Sequence, residues 1–176
     1  MSRTHRGSSG IRSRGLGVIG WLLIIPVALI ALLILAIGFY EGRKAYWDSN
    51  VREMCEKDGG VKIFEKLRIS KADIDLLGRV DGKIGVPIKA LAHPNAPAYA
   101  ELKITDLREW NPRVSRSEST IVRREDQAVV AKSVVYARSG GDFPTGLSEG
   151  TAFVCPDLKA ITSDLQRLFI VEGDSK

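Results

Sequence analysis

Residues 16–40, which read LGVIGWLLIIPVALIALLILAIGFY, contain no charged side chain and decide the organisation of the chain. At roughly 1.5 Å per residue, a helix of this length would measure about 37 Å, more than the bilayer's hydrocarbon core of about 30 Å. A helix in the core of a soluble domain would present polar residues about every 3.6 positions, and this run has no such polar face. The run therefore predicts one transmembrane helix.

A cleaved signal peptide is the alternative interpretation of the same run. The apolar part of a signal peptide is usually about 7–15 residues long and ends at a small-x-small cleavage site. Residues 16–40 are longer than that, and Ala36-Ile37-Gly38 matches such a site only weakly. No cysteine follows directly to accept a lipid. The sequence therefore favours a retained anchor.

The formal charge of +5 belongs mainly to the segment that precedes the apolar run. Residues 1–15 carry four arginines and no acidic residue, which leaves 22 of the 26 basic side chains and all 21 acidic ones for residues 41–176. A protein that binds nucleic acid would place its positive charge on the folded domain. The distribution of charge therefore argues against a nucleic-acid partner.

The same arginines bear on orientation, because positive charge beside a membrane span tends to remain in the cytoplasm. They favour a cytoplasmic amino terminus, and they are Arg3, Arg6, Arg12 and Arg14. The opposite flank is also basic, with Arg43, Lys44, Arg52 and Lys57, so charge alone does not decide the orientation. We expect a disordered cytoplasmic tail over residues 1–15, a periplasmic domain over 41–172 and a frayed end over 173–176.

The two cysteines, Cys55 and Cys155, lie near opposite ends of the soluble part. In a domain outside the cytoplasm, two distant cysteines favour a disulfide bond, which here would close a loop of about 100 residues. In the chain-entropy model such a bond stabilises the fold by roughly 4–5 kcal/mol. The alternative is a cytosolic domain with two buried free thiols. The disulfide and the arginines favour the same arrangement, with the domain outside the cytoplasm.

Beyond the apolar run, the sequence predicts an α+β fold, a small antiparallel sheet with flanking helices. Helical periodicity covers residues 41–58, and Gly59 marks the end of that helix. Ser70 and Asp73 predict a capped helix over Lys71–Leu77. Three β-prone segments separated by turn residues predict an antiparallel meander. We expect strands at 61–69, 99–110, 114–124, 128–138 and 151–155, and a last helix from Pro156 to Phe169.

One short motif is compatible with catalysis. Residues 146–150 fit the pattern G-x-S-x-G, which in hydrolases places a serine between a strand and a helix. Here a glycine-rich loop precedes Ser148 and a predicted strand follows it. The one histidine of the domain, His93, comes before the serine, whereas that fold has its histidine after it. We therefore interpret the motif as loop composition and predict no catalytic residue.

The sequence predicts no metal or cofactor site. Asp73, Asp75 and Gly78 resemble the start of a calcium loop, but Leu77 and Ile84 occupy positions where oxygen ligands are required. Zinc requires three or four Cys, His or carboxylate ligands, and two distant cysteines with His93 form no such cluster. Attack by a cysteine thiolate assisted by His93 is possible in principle, and pairing of the two thiols is favoured over it.

The β region is locally basic, with Arg108, Arg113, Arg116, Arg123, Arg124 and Arg138. One interpretation is contact with anionic lipid headgroups or with an acidic partner. The other is a solvated sheet face, because acidic residues are interspersed at Glu109, Glu118, Glu125 and Asp126. The second interpretation is favoured.

Three stretches resemble a family of small, uncharacterised envelope proteins of proteobacteria, which are often anchored by a span or a lipid. They are Cys55-Glu-Lys-Asp-Gly-Gly60, the Tyr136–Asp142 segment that ends in Gly-Gly-Asp, and Phe153-Val-Cys-Pro156. The resemblance covers roughly residues 50–170. It implies an exported domain in which the two cysteines pair, and it implies no activity.

Two functions are consistent with these observations. The first is a non-enzymatic interaction or accessory module of a bacterial envelope assembly, anchored in the inner membrane by one span and bound to a protein partner. The second is a periplasmic domain that binds a small molecule, a lipid or a cell-wall fragment in an apolar pocket. The absence of a convergent titratable cluster in the sequence favours the first.

Overall fold

The computed structural model describes residues 15–144 and 150–172, and the chain divides into two compact units between Tyr40 and Glu41. One helix, α1 (Gly15–Asp58), contributes residues to both units. Its described portion Ile24–Asp58 is long and apolar enough to cross a membrane. The large apolar side chains described from Ile24 to Phe39 are exposed, Leu35 to 69%. The first unit thus contains an apolar helix with the length and surface of a membrane span.

The second unit is a mixed α+β domain, as the sequence predicts. After α1 it contains nine strands and two further helices among the described residues. In chain order these are β1 (Gly60–Ile63), β2 (Leu67–Ile69), α2 (Lys71–Leu77), β3 (Arg79–Val80), β4 (Lys83–Ile84), β5 (Ala98–Arg108), β6 (Arg113–Arg123), β7 (Val129–Ser139), β8 (Ala152–Cys155), α3 (Leu158–Leu165) and β9 (Phe169–Val171).

The main sheet is built on the predicted antiparallel meander of β5, β6 and β7. β5 is an edge strand, and β7 lies on the far side of β6. The second side of β7 is shared by two short strands, since β1 pairs with residues 131–134 and β8 with residues 136–139. Two smaller pairs, parallel β2–β9 and antiparallel β3–β4, complete the strands.

Two hydrophobic clusters cover opposite faces of this sheet. Val114 and Ile121 are seven positions apart in β6, so their side chains point to opposite faces. The face of Val114 packs against α1 through Val51 and Cys55. The face of Ile121 packs against β2, α2 and the segment after α3, with Leu168 fully buried there. Each cluster occupies only part of its face, a property that matters for the surface described below.

The boundaries of two helices have clear local causes. Ser70 caps α2, because its hydroxyl accepts the N–H of Asp73 while the Asp73 carboxylate accepts the N–H of Ser70 at 2.7 Å. This reciprocal pair is the capping box that the sequence predicts. At the end of α1, the N–H of Gly59 donates to the carbonyl of Cys55 at 2.8 Å. A side chain at Gly59 would collide with that carbonyl, so the position requires glycine.

Two predicted elements are wrong in detail. The single strand expected over 61–69 is two strands, because residues 64 and 65 both turn their N–H groups to the carbonyl of Val130. The last helix does not reach Phe169. It ends at Leu165 in a short 3-10 turn, and Phe169 begins β9, which pairs with β2 in parallel. Apolar spacing does not distinguish a last helical turn from a strand whose partner lies about 100 residues earlier.

Candidate interaction surface

The structure joins Cys55 and Cys155 by a disulfide bond, the pairing that the sequence favours. Their Cα atoms are 5.9 Å apart and 100 residues separate them. The bond links α1 to β8 and lies within the cluster formed by Val51, Val114 and Tyr136. An apolar helix that could span a membrane and a disulfide together indicate a membrane-anchored domain in an oxidising compartment such as the periplasm.

A buried ion pair forms a second connection between α1 and the sheet. Arg138 in β7 is 2% exposed, and its Nε donates to the carboxylate of Asp48 in α1 at 2.5 Å. The Nη1 of the same guanidinium donates to the carbonyls of Gly140 and Thr151. Arg138 therefore satisfies acceptors from α1, from the turn after β7 and from the residue before β8, which is a structural role.

The carboxyl-terminal end of α1 is connected to the sheet by a network of charged groups. Asp58 accepts hydrogen bonds from the hydroxyl of Tyr136 at 2.6 Å and from Arg116 at 3.1 Å, and these lower the pKa of the Asp58 carboxyl. Glu118 accepts from Lys132 and from Arg116, which lowers its pKa as well. Burial raises the pKa of the Tyr136 hydroxyl, with Asp58 contributing in the same direction. The network is stable with its carboxylates ionised.

A concavity of about 280 Å³ lies over this network and is one candidate for a ligand pocket among the described residues. It is open to solvent, and its lining includes Asp58, Lys62, Phe64, Arg116 and Lys132. Ligand pockets are usually enclosed and mostly apolar, with a few polar groups that have no partner within the protein. Here Arg116 and Lys132 are engaged with Asp58 and Glu118. The geometry gives little support to a bound small molecule.

All six arginines of the β region have partners within the domain. Arg113 forms two hydrogen bonds with Asp106, and Arg123 bridges Glu65 and Asp126. The other four contact carboxylates, carbonyls or rings, namely Arg108 with Pro112 and Trp47, Arg116 with Glu118 and Asp58, Arg124 with Ala96 and Tyr99, and Arg138 with Asp48. The arginines therefore serve the fold, and the interpretation as a surface interspersed with acids is the better one.

Among the described residues, the remaining candidates do not come together in a reactive site. Ser148, and with it most of the G-x-S-x-G motif, lies outside the described residues. His93 is a loop residue whose Nδ1 accepts the N–H of Asn95 at 3.2 Å. Asp73, the first residue of the calcium-like segment, is engaged as the cap partner of Ser70. Over residues 15–144 and 150–172 no group of three His, Cys, Asp or Glu side chains could hold a metal ion.

The feature that stands out is the apolar face of β5. Apolar residues occupy every second position of this strand from Ala98 to Ile104, so the four side chains lie on one face. This is the pattern of an ordinary half-buried strand. Ala98 and Ala100 are 0% and 5% exposed beneath the hydrophobic cluster around Ile121. Leu102 and Ile104 continue the same face and are 52% and 59% exposed. The apolar face therefore extends beyond the part that the domain covers.

Among the described residues, no backbone group pairs with the outer side of β5 along residues 102–107, which we call the open edge. At Ala100 the edge is occupied, because its N–H donates to Pro87 and its carbonyl accepts from Lys89, both at 2.8 Å. Backbone direction alternates along a strand, so the amide and carbonyl groups of Leu102 and Ile104 point to the same side as those of Ala100. Beyond Ala100, no described strand lies there.

The neighbouring strand keeps this surface flat. Leu102 lies opposite Ser119 in β6 and Ile104 lies opposite Ser117, and residues opposite each other in a sheet share a face. The serine side chains are short and half-buried. The side chains of Leu102 and Ile104 are therefore flanked by small groups on the β6 side.

Sequence reasoning missed the open edge. The alternation of Leu102 and Ile104 with Lys103 and Thr105 predicts which side chains share a face. It does not reveal whether that face lies under the domain's own helices or outside them. The number of elements that pack on the sheet decides this, and it depends on contacts between segments far apart in sequence.

Comparison with known proteins gives no further assignment, since no family model, no curated protein and no solved structure matches the chain.

Proposed function

We propose that this protein is a non-enzymatic interaction module, anchored in a bacterial inner membrane by one span, which binds a protein partner through the open edge of β5. The observation that carries the proposal is the apolar face of β5, which passes from fully buried at Ala98 to 59% exposed at Ile104 without losing its alternation. Exposed apolar strand edges promote pairing with other chains, and proteins usually protect them.

The chemistry of the edge specifies the kind of partner. The outward amide and carbonyl groups of Leu102 and Ile104 would bond an added strand, and their side chains would contact alternate residues of it. The charges along the strand are mixed, with Lys103 between Glu101 and Asp106, so the edge does not favour a strongly charged peptide. The partner is therefore a protein segment in extended conformation with apolar residues at alternate positions.

The anchor places this surface in the periplasm in our proposal. The arginine-rich tail favours a cytoplasmic amino terminus, and the disulfide favours an oxidising compartment for the domain. Membership of the proteobacterial envelope family that the sequence resembles stays a prediction, as does the absence of catalysis.

Site-specific photocrosslinking in cells tests the partner directly. A photoreactive residue at Ile104 should form a crosslink to one or a few discrete proteins. The same residue at Leu158 in α3, which has the same exposed fraction of 59%, is the matched control. Discrete products from Ile104 that are absent from Leu158 would support the open edge as the interface. Equal products from both positions, or none from Ile104, would contradict it.

Substitution provides an independent test. Leu102→Ser combined with Ile104→Ser removes the apolar contacts of the edge without removing any side chain from either hydrophobic cluster. We expect at least a tenfold loss of partner recovery with an unchanged unfolding midpoint. Leu158→Ser is the control, and it should leave recovery of the partner unchanged.

The alternative, a periplasmic ligand-binding domain, has weaker support. The concavity over Asp58 and Arg116 is open, and its charged groups are engaged with one another. Saturable binding of a small molecule that is lost on Lys62→Ala would favour this alternative, because Lys62 lines the concavity from an exposed position in β1.

A further inference from the structure

The domain begins with a helical segment, the part of α1 that starts at Glu41. Within this unit, residues 41–47 are helical and rise about 9 Å from Glu41 to Trp47. Glu41 is bonded directly to Tyr40, the last residue of the apolar run. A group that contacts Lys44 or Trp47 therefore touches the chain only four to seven residues after the end of that run.

Two loops contact this segment. The turn between β5 and β6, residues 109–112, we call the hairpin tip. Arg108, just before it, places its guanidinium 4.7 Å from the centre of the Trp47 ring and donates to the carbonyl of Pro112 at 3.1 Å. The second loop follows β7 and is described over residues 140–144. In it, the carboxylate of Asp142 accepts a hydrogen bond from the Nζ of Lys44 at 3.2 Å.

These loops also hold each other. The side-chain oxygen of Asn111 in the hairpin tip accepts the N–H of Gly141 at 2.6 Å. Asp142 in turn accepts the N–H of Thr151 at 2.6 Å, and its pKa is lowered by that bond and by Lys44. The hairpin tip is therefore fixed beside the first turns of α1 that belong to this unit.

The fixed tip presents a large aromatic side chain to solvent. Trp110 is 79% exposed, although it lies between residues that are firmly held. Tyr46 directly precedes Trp47 in α1 and is 62% exposed. Its ring packs edge-to-face on the Trp47 ring, with ring centres 5.5 Å apart. Tryptophan and tyrosine are enriched where a membrane meets water, because their rings are apolar and carry one polar group.

We propose that the hairpin tip rests on the bilayer, with the indole of Trp110 in the interface between headgroups and acyl chains. This rests on the proposed function, since it requires that residues 16–40 span the membrane. The occupant of the surface is lipid, because the tip is held at the point where the chain would leave the bilayer. The contact would hold the domain in one orientation on the bilayer. It would also keep the open edge of β5 at a constant distance from the bilayer surface.

Quenching by brominated acyl chains tests this with the full chain in phosphatidylcholine vesicles. The emission that Trp110→Phe removes reports on Trp110. The matched control is Leu91→Trp in the Trp110→Phe background, since Leu91 is 78% exposed. Leu91 lies near Ala100, about 27 Å along β5 from Arg108. We expect brominated lipid to quench the Trp110 emission at least threefold more than the emission from position 91.

Flotation of the vesicles after an alkaline wash measures the anchor separately. Protein that floats and shows the expected difference supports the inference. Protein that floats while Trp110 and position 91 are quenched equally overturns this inference and leaves the anchor intact. Protein that does not float overturns the anchor and the inference together. A crosslink from position 110 to a protein in cells, with no quenching in vesicles, would assign the tip to a protein and overturn its assignment to lipid.

Discussion

Arg138 shows how one buried charge can organise several segments. Its guanidinium faces Asp48 of α1 on one side and the carbonyls of Gly140 and Thr151 on the other. Removing one member of a buried pair leaves the other charge and its neighbours without partners, which costs more than the pair itself contributes. The arginine is therefore required once Asp48 is present.

Arg138→Met is expected to lower the free energy of unfolding by about 1–3 kcal/mol, because Asp48 and the carbonyls of Gly140 and Thr151 lose their donors. Urea unfolding of the full chain in detergent, followed by the sheet signal in circular dichroism, measures the change. Arg113→Met is the control, since Arg113 pairs with Asp106 at the surface and its loss should have little effect. Equal midpoints for both variants would contradict the structural role of Arg138.

At the scale of elements, α1 is held to the sheet by hydrophobic packing around Val51 and by several covalent or polar contacts, three of which can be tested separately. These are the disulfide to β8, the Asp48–Arg138 pair and the network of Asp58 with Tyr136 and Arg116. The network depends on ionised carboxylates, whereas the disulfide does not depend on acid. The two can therefore be separated experimentally by pH and by reductant.

Acid should weaken the network selectively. The pKa values of Asp58 and Glu118 are lower in the folded protein than in the unfolded chain. Their contribution to stability is therefore complete above the unfolded pKa of about 4 and is lost as the pH falls through the folded pKa. We expect the urea midpoint to be constant from about pH 7 to pH 5 and to fall below about pH 4. Asp58→Asn should make that fall shallower, and an unchanged slope would contradict the assignment.

The disulfide should be a major contribution among these attachments. Replacing Cys55 and Cys155 together by serine removes a constraint on a loop of 100 residues, with an expected loss of about 2–5 kcal/mol. Guanidinium unfolding of the full chain in detergent measures it. Wild-type protein in excess reductant should show the same loss, and a difference between the two would indicate damage from the substitutions themselves.

The elements also show what the sequence could predict. α2 is specified by neighbouring residues, because Ser70 and Asp73 provide both halves of the cap. The meander of β5, β6 and β7 is specified by alternation and by turn residues. In contrast, β9 could not be predicted, since Phe169 is extended only because Leu67 lies beside it. Its local spacing with Leu165 and Leu168 is compatible with a helix.

For the whole molecule, the order of tail, apolar run and folded domain could be predicted from the sequence. The interaction surface could not. The lack of charge in residues 16–40 predicts an apolar helix from composition alone. The open edge depends on how far the hydrophobic cluster around Ile121 extends over β5. No local sequence pattern predicts that extent. Candidate sites that consist of exposed apolar residues can therefore be identified only from the folded structure.

The proposed orientation has a direct consequence for reporter fusions. An alkaline phosphatase joined after Lys176 should be active, because that enzyme requires an oxidising compartment to form its disulfides. The same fusion without residues 16–40 is the control and should be inactive. Activity in both fusions, or in neither, would contradict an anchor that exports the domain.

The cystine that joins α1 to β8 also affects how the molecule would respond to proteolysis. A single backbone cut anywhere between Cys55 and Cys155 would leave both fragments linked covalently through the two sulfur atoms. The fragment beyond the cut would stay attached to α1 and its apolar run, and one nick could not release it. Release would require a reductant or a second cleavage.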